Sequence, residues 1–194
     1  MNTLVSVVGH ASRYVKDIVF VRTGMSSRPM LGTNGVVRRC LQAVLKTAVR
    51  YKIDVLSVVL YGSRGRGDQS LDSDYDIFVM LNNRTTMFQY VQFSAEVRMM
   101  VRRLPKVKIF SCRERDFQGM LRDNPFLGAF CYVIAVDGKP IFDPKGRFRR
   151  LKQRMARLSK VEERRCMIRC LQMSKRMGSV PWTVFWRKKI SEVK

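Results

Sequence analysis

Apolar positions recur along this chain in two rhythms that exchange places. From about residue 34 to 51, Val36, Val37, Cys40, Leu41, Val44, Leu45 and Val49 repeat at three and four, which predicts an amphipathic helix capped by Thr33 or Asn34. "IDVLSVVLYG" (53–62) is rich in β-branched residues and ends at glycine, and "YDIFVML" (75–81) is almost continuously apolar. Both read as buried central strands. The helical rhythm returns in "TTMFQYVQFSAEVRMMVRRL", with Met87, Tyr90, Val91 and Val97 expected inward. "KVKIFSC" then reads as a short strand and "ERDFQGMLRD" as a helix, and the "DGKP" of "NPFLGAFCYVIAVDGKPIFDP" reads as a turn. This alternation predicts an α/β domain over 34–144, with helices packed on a sheet. Residues 1–33 form an N-terminal extension closing in the loop-like "SSRPMLGTNG". Residues 145–194 place Phe148, Leu151, Met155, Leu158 and Val161 on one face of a basic helix, expected to break near "MGSVP".

Charge adds the next constraint. The 194 residues hold 38 Lys and Arg against 15 Asp and Glu, a formal +23, and the last fifty alone hold 17 against 3. Such an excess attracts polyanions, so a nucleotide, RNA or an acidic protein partner is the expected company. Arg149, Arg150, Lys152 and Arg154, with Arg187, Lys188 and Lys189 beside Trp182, Phe185 and Trp186, are the candidate nucleic-acid contacts. The same three aromatics, at i, i+3 and i+4, equally suit an apolar stripe docked on the domain.

No apolar stretch approaches 18 residues, and the first twenty are interrupted by His10, Arg13, Lys16 and Asp17, so neither a transmembrane span nor a signal peptide is expected. Five cysteines (Cys40, Cys112, Cys131, Cys166, Cys170) form no C-x-x-C pair, and the one histidine is remote from them. Reduced, packed thiols in a cytoplasmic protein are expected, without a Cys/His metal site.

Candidate chemistry concentrates in "LYGSRGRGDQSLDSDYDIFVML" (60–81). Asp74 and Asp76 stand two apart at a strand entrance, so their side chains share one face. Two like charges roughly 5 Å apart cost on the order of 3 kcal/mol at an effective dielectric near 20. A bound divalent cation removes that penalty, and Mg2+ (or Mn2+) suits a site completed by phosphate. Upstream, Gly62 permits close backbone approach, Ser63 offers a hydroxyl, and Arg64 and Arg66 can supplement the phosphate contacts. The glycines at 62, 65 and 67 fit neither a Walker loop nor a G-x-G-x-x-G fingerprint. Arg66-Gly67-Asp68 is read as a chance tripeptide.

Gly62-Ser63, ten intervening residues and Asp74-Tyr75-Asp76 resemble the G-S-x10-D-x-D signature of the minimal nucleotidyltransferases of the DNA polymerase beta superfamily. The resemblance covers 34–144. It implies a short mixed β-sheet flanked by helices, an α+β arrangement to which the basic helical region is appended. It also implies Gly62 and Ser63 at the nucleotide phosphates, with Asp74 and Asp76 as metal ligands and catalytic residues. The implied reaction moves a nucleoside monophosphate from a triphosphate, ATP being the expected donor, to a hydroxyl on RNA, protein or a small molecule. Two other readings are a catalytically inactive nucleotide- or nucleic-acid-binding module of the same fold and an antitoxin-type enzyme that modifies a partner toxin.

One position departs from the pattern. Many members carry a third carboxylate on a later strand that matches "PKVKIFS" here, and the residue in that setting is Lys108. Glu114, Asp116 and Asp137 are the nearest acids to stand in for it; otherwise Lys108 is an outward charge on an edge strand.

Overall fold

A computed structural model describes residues 34–124 and 127–193. Thr33, the Asn34 side chain, His10 and the rest of the 1–33 extension lie outside the described residues. Four strands, β1 (Val55–Tyr61), β2 (Tyr75–Leu81), β3 (Val107–Arg113) and β4 (Lys139–Phe142), pair in the order β3-β2-β1-β4. β1 is antiparallel to both of its neighbours, whereas β2 and β3 run parallel, so the sheet is mixed.

Strand alternation sorts the apolar side chains into two layers. Val58 and Leu60 of β1 join Ile77, Val79 and Leu81 of β2 on one face, under helices α1 (Asn34–Arg50) and α3 (Met87–Val101). Val59, Tyr61, Phe78 and Met80 point the other way, toward α4 (Glu114–Asp123) and α5 (Leu127–Asp137). Both central strands are thus covered on both sides, which is why they read as unbroken apolar runs. Between β1 and β2 the chain makes only one short helix, α2 (Gly62–Arg66).

The last fifty residues share this second layer. They form α6 (Arg147–Met155), α7 (Lys160–Arg176) and α8 (Val180–Glu192), and bury Phe148, Leu151, Met167, Cys170 and Trp186 in the cluster that holds Phe78 and Phe117. Asp143 fixes the junction: its nearly buried carboxylate accepts from Ser57 Oγ at 2.7 Å and from the backbone N–H groups of Phe148 and Arg149 at 3.2 and 3.1 Å. The "IFDP" aspartate is therefore an anchor between β1 and α6.

The observed elements correct the expected pattern in three places. Met87 and Val91 are 62% and 56% exposed, because the inward stripe of α3 runs through Tyr90, Phe93, Val97 and Val101. Val91 lies about 120° around the helix from Val97. The basic helix also breaks earlier than "MGSVP", at Ala156–Ser159, where Ser159 and Glu162 close a capping box that starts α7. That S-x-x-E signature is visible in the sequence. Val161 falls in the first turn of α7 and is exposed rather than inward. The second break, at Gly178 with φ +66, is where it was expected, with a proline opening α8.

Because the C-terminal helices complete a shared core, truncating them opens it. Phe148→Ala is expected to lower unfolding free energy by about 3–5 kcal/mol in urea titrations with the slope unchanged. A chain ending at residue 144 is expected to lose cooperative unfolding altogether; a sharp transition of native-like slope would contradict the shared core.

Candidate active site

Period-two alternation places the candidate carboxylates on the face that the C-terminal helices cover. Asp76 belongs to the same set as Phe78 and Met80, and pairs in register with Tyr61 on β1 and Lys108 on β3. Just before β2, Asp74 reaches across to Lys108, whose Nζ lies 2.6 Å from Asp74 Oδ2. Lys108 therefore sits on an edge strand, 67% exposed, yet its charge is turned onto the aspartates. The hydrogen bond to Asp74 raises the Lys108 pKa, so the ammonium stays charged.

Asp76 is the unsatisfied member. It is half-buried and takes no hydrogen bond or ion pair among the described residues. Burial raises its pKa above the ordinary aspartate range, with Lys108 pulling it down and Asp74 pushing it up. Across from it the chain turns sharply: Gly62 has φ +69, and a Cβ there would stand 2.7 Å from Asp76 Oδ2. Glycine is required at this position both by the left-handed backbone and by the carboxylate pressed against it.

Gly62, Asp74, Asp76 and Lys108 line one cavity of about 440 Å³. Its other wall is apolar and comes largely from beyond the signature: Phe130 and Val133 of α5, Met173 and Met177 on and just after α7, and Trp182 and Trp186 of α8. The two indoles are stacked, with centroids 6.1 Å apart and planes 18° from parallel. Spacing made the aromatic stripe visible in the sequence, but nothing local revealed that it would face the aspartates. Ser63 is half-exposed at the turn, and its carbonyl accepts from the N–H groups of Gly67 and Asp68.

The two arginines of the turn were expected at the phosphates, and the structure shows each bound to protein groups. Arg64 donates to the Ser73 carbonyl at 3.1 and 2.9 Å and lies 3.8 Å over the Tyr75 ring, holding the segment that presents Asp74. Arg66 meets Asp137 at 2.6 Å and Asp68 at 3.0 Å, and stacks 5.0 and 4.9 Å over Trp182 and Phe185. Burial opposes the guanidinium charge, but the hydrogen bonds that Arg66 donates to Asp68 and Asp137 outweigh it and raise the Arg66 pKa. Arg66 thus ties the signature turn to α8.

The alternative acids do not reach the cavity. Glu114 and Asp116 follow the far end of β3, about 20 Å along the strand from Lys108, and Asp116 is paired with Arg113 at 2.6 Å. Asp137 is occupied by Arg66. In the basic C-terminal region, Arg149 is bound to Asp143, Lys152 donates to the Gly138 carbonyl at 2.9 Å, and Lys189 pairs with Glu192 at 2.9 Å. Arg150, Arg154, Arg187 and Lys188 remain exposed.

A family model described as Polymerase beta, Nucleotidyltransferase matches residues 43–144, more than half of the chain. The chain belongs to this family. No curated protein matches it. Membership brings nucleotidyltransferase-type activity as the class of chemistry and a nucleotide as the class of substrate. The mixed four-stranded sheet flanked by helices agrees with the family fold. Members of this nucleotidyltransferase family generally work with a nucleoside triphosphate and a divalent cation. The donor set here can take one such cation at the unpartnered Asp76 carboxylate, with phosphate oxygens completing the shell, while Asp74 joins it only by giving up its 2.6 Å pairing with Lys108. Among the described residues no third carboxylate joins the pair. No described helix is long and apolar enough to cross a membrane.

Two consequences follow for variants. The folded chain binds a proton on Asp76 more tightly than the unfolded chain does, so ionisation of this group lowers stability as pH rises through the raised pKa. Asp76→Asn should therefore melt higher than the wild type at pH 7, by about 2–4 °C per kcal/mol recovered. The gap should close below about pH 4, where the unfolded-state aspartate is also protonated; a gap that persists in acid would point to some other cause. Gly62→Ala should destabilise the chain and displace Asp76, measured as a lower Tm that Asp76→Gly in the same chain partly restores.

Proposed function

We propose that the chain transfers a nucleoside monophosphate from a nucleoside triphosphate, ATP the expected donor, to a hydroxyl of RNA, protein or a small molecule. Asp74 and Asp76 would hold Mg2+ or Mn2+, and Gly62 and Ser63 would carry the phosphates. The observation behind this reading is the half-buried, unpartnered Asp76 carboxylate held against the left-handed Gly62 turn. A fold that keeps a destabilising charge at a cavity mouth is keeping it for a ligand. The bound cation would neutralise the carboxylates and the charge that develops on the transferred phosphoryl group.

The acceptor oxygen attacks the α-phosphorus, the bond to the β-phosphate bridge breaks, and pyrophosphate leaves. Lys108 offers no base for the acceptor proton, since Asp74 keeps its ammonium charged. The proton passes to solvent, and turnover should be slow. The indole wall supports placement of the base and sugar against Trp182, with Arg66 fixing that wall to the turn. The five free thiols, four of them buried, suit a cytoplasmic setting.

One observation favours a second reading. The Asp74–Lys108 contact at 2.6 Å supplies an internal counter-cation, which suits a module that binds nucleotide without transferring it. Incubation with α-labelled ATP, CTP, GTP or UTP, Mg2+ and either total RNA or cell protein separates the two. Transfer predicts label in macromolecules, abolished by Asp74→Ala/Asp76→Ala and raised about tenfold or more by Lys108→Asp, which restores an acid at the strand position. Nucleotide retention with no label in either the wild type or Lys108→Asp would overturn transfer and leave the binding module.

A further inference from the structure

A second concavity lies on the opposite half of α7, away from the aspartates. It is a groove of about 460 Å³ between α4, α6 and the first turns of α7. Its floor is aliphatic, built from Leu121, Leu151, Met155 and Leu158, and its rim carries Arg122, Arg154, Arg165 and Arg169. Arg122 is paired with its neighbour Asp123 at 2.8 Å. The guanidinium groups of Arg154, Arg165 and Arg169 take no hydrogen bond or close ion pair among the described residues, although Arg165 lies near enough to Glu162 to attract its carboxylate. The one acid at the rim, Glu162, is engaged in the capping box with Ser159. Arg–carboxylate contacts abound elsewhere on this surface, whereas here Glu162 is the one acid beside three guanidinium groups around an apolar floor, which leaves the groove with an excess of positive charge.

We infer that this groove docks an acidic, amphipathic segment of a partner protein. Such a helix lays its apolar side chains on the aliphatic floor, and its Asp and Glu carboxylates meet the arginine forks at the rim. Charge rules out the chain as its own occupant: residues 1–33 carry four Lys and Arg against one Asp, and a second copy brings +23. Single-stranded RNA meets the arginines but not the floor, since base stacking needs rings and the groove lining has none. Arg169 of the groove and Met173 of the catalytic cavity are one turn apart on α7, so a segment seated here ends beside the nucleotide site. The inference concerns docking and does not depend on nucleotidyl transfer.

The test uses the full chain and three fluorescent probes read by anisotropy. They are a peptide of about 15 residues with Leu at i, i+3, i+4 and i+7 and Glu elsewhere, a scrambled peptide of the same composition, and a single-stranded RNA of equal charge. The ordered peptide should bind about tenfold or more tightly than the scrambled one. Arg154→Ala/Arg165→Ala/Arg169→Ala should weaken it about tenfold, whereas the equal charge change Arg38→Ala/Arg39→Ala/Arg98→Ala, on exposed positions of α1 and α3, should change it less than about twofold. Should the groove variant unfold, Arg165→Glu at an exposed position carries the same comparison. Equal binding of the two peptides, equal loss in both triple variants, or a loss confined to RNA would each overturn the inference.

Discussion

The site rests on one close approach, that of the Asp76 carboxylate to the Gly62 backbone. A Cβ at residue 62 would stand 2.7 Å from Asp76 Oδ2, so a side chain there must displace the carboxylate, and the positive φ of the turn is one that glycine alone adopts without strain. β1 must end and α2 must begin at this point, with β2 in register so that Tyr61 faces Asp76. The carboxylate is held in a half-buried setting that raises its pKa and gives it no protein partner. Stability is surrendered there, and what offsets it is the apolar packing on both faces of the two central strands.

The regions flanking the signature turn it into a cavity. Arg64 secures the segment before Asp74, and Arg66 joins the turn to Asp137 and to the aromatics of α8. The C-terminal helices, which lie outside the family match, contribute most of the wall opposite the carboxylates. The Gly62 turn and the basic C-terminal region are therefore physically continuous, joined through the Arg66 guanidinium group.

Much of this was legible in the chain because it is local. The strands 55–61 and 75–81, the helix at 34–50 and the glycine–aspartate spacing follow from period, β-branching and turn residues. Asp74 and Asp76 share a face with Lys108 because strands alternate, but the ion pair itself depends on the parallel register of β2 with β3, which spacing does not encode. The roles of Arg64 and Arg66 were hidden for a related reason: a guanidinium group serves a phosphate or a carboxylate equally well, and only the fold supplies Asp137 and Trp182. Val91 was misplaced because two near-helical stripes compete in 87–101 and the larger Phe93 decides between them. The break at 156–159 was encoded by Ser159 and Glu162, where an apolar spacing of three and four through Val161 masked it.

The proposed chemistry requires Asp76, opposite Gly62, to bind a divalent cation together with a nucleoside triphosphate. Calorimetric titration of ATP into the full chain, with Mg2+ and again with excess EDTA, tests it most directly when repeated on Asp76→Asn. Saturable heat is expected with Mg2+, disappearing in EDTA and in the variant. Equal ATP uptake in all three conditions would contradict it.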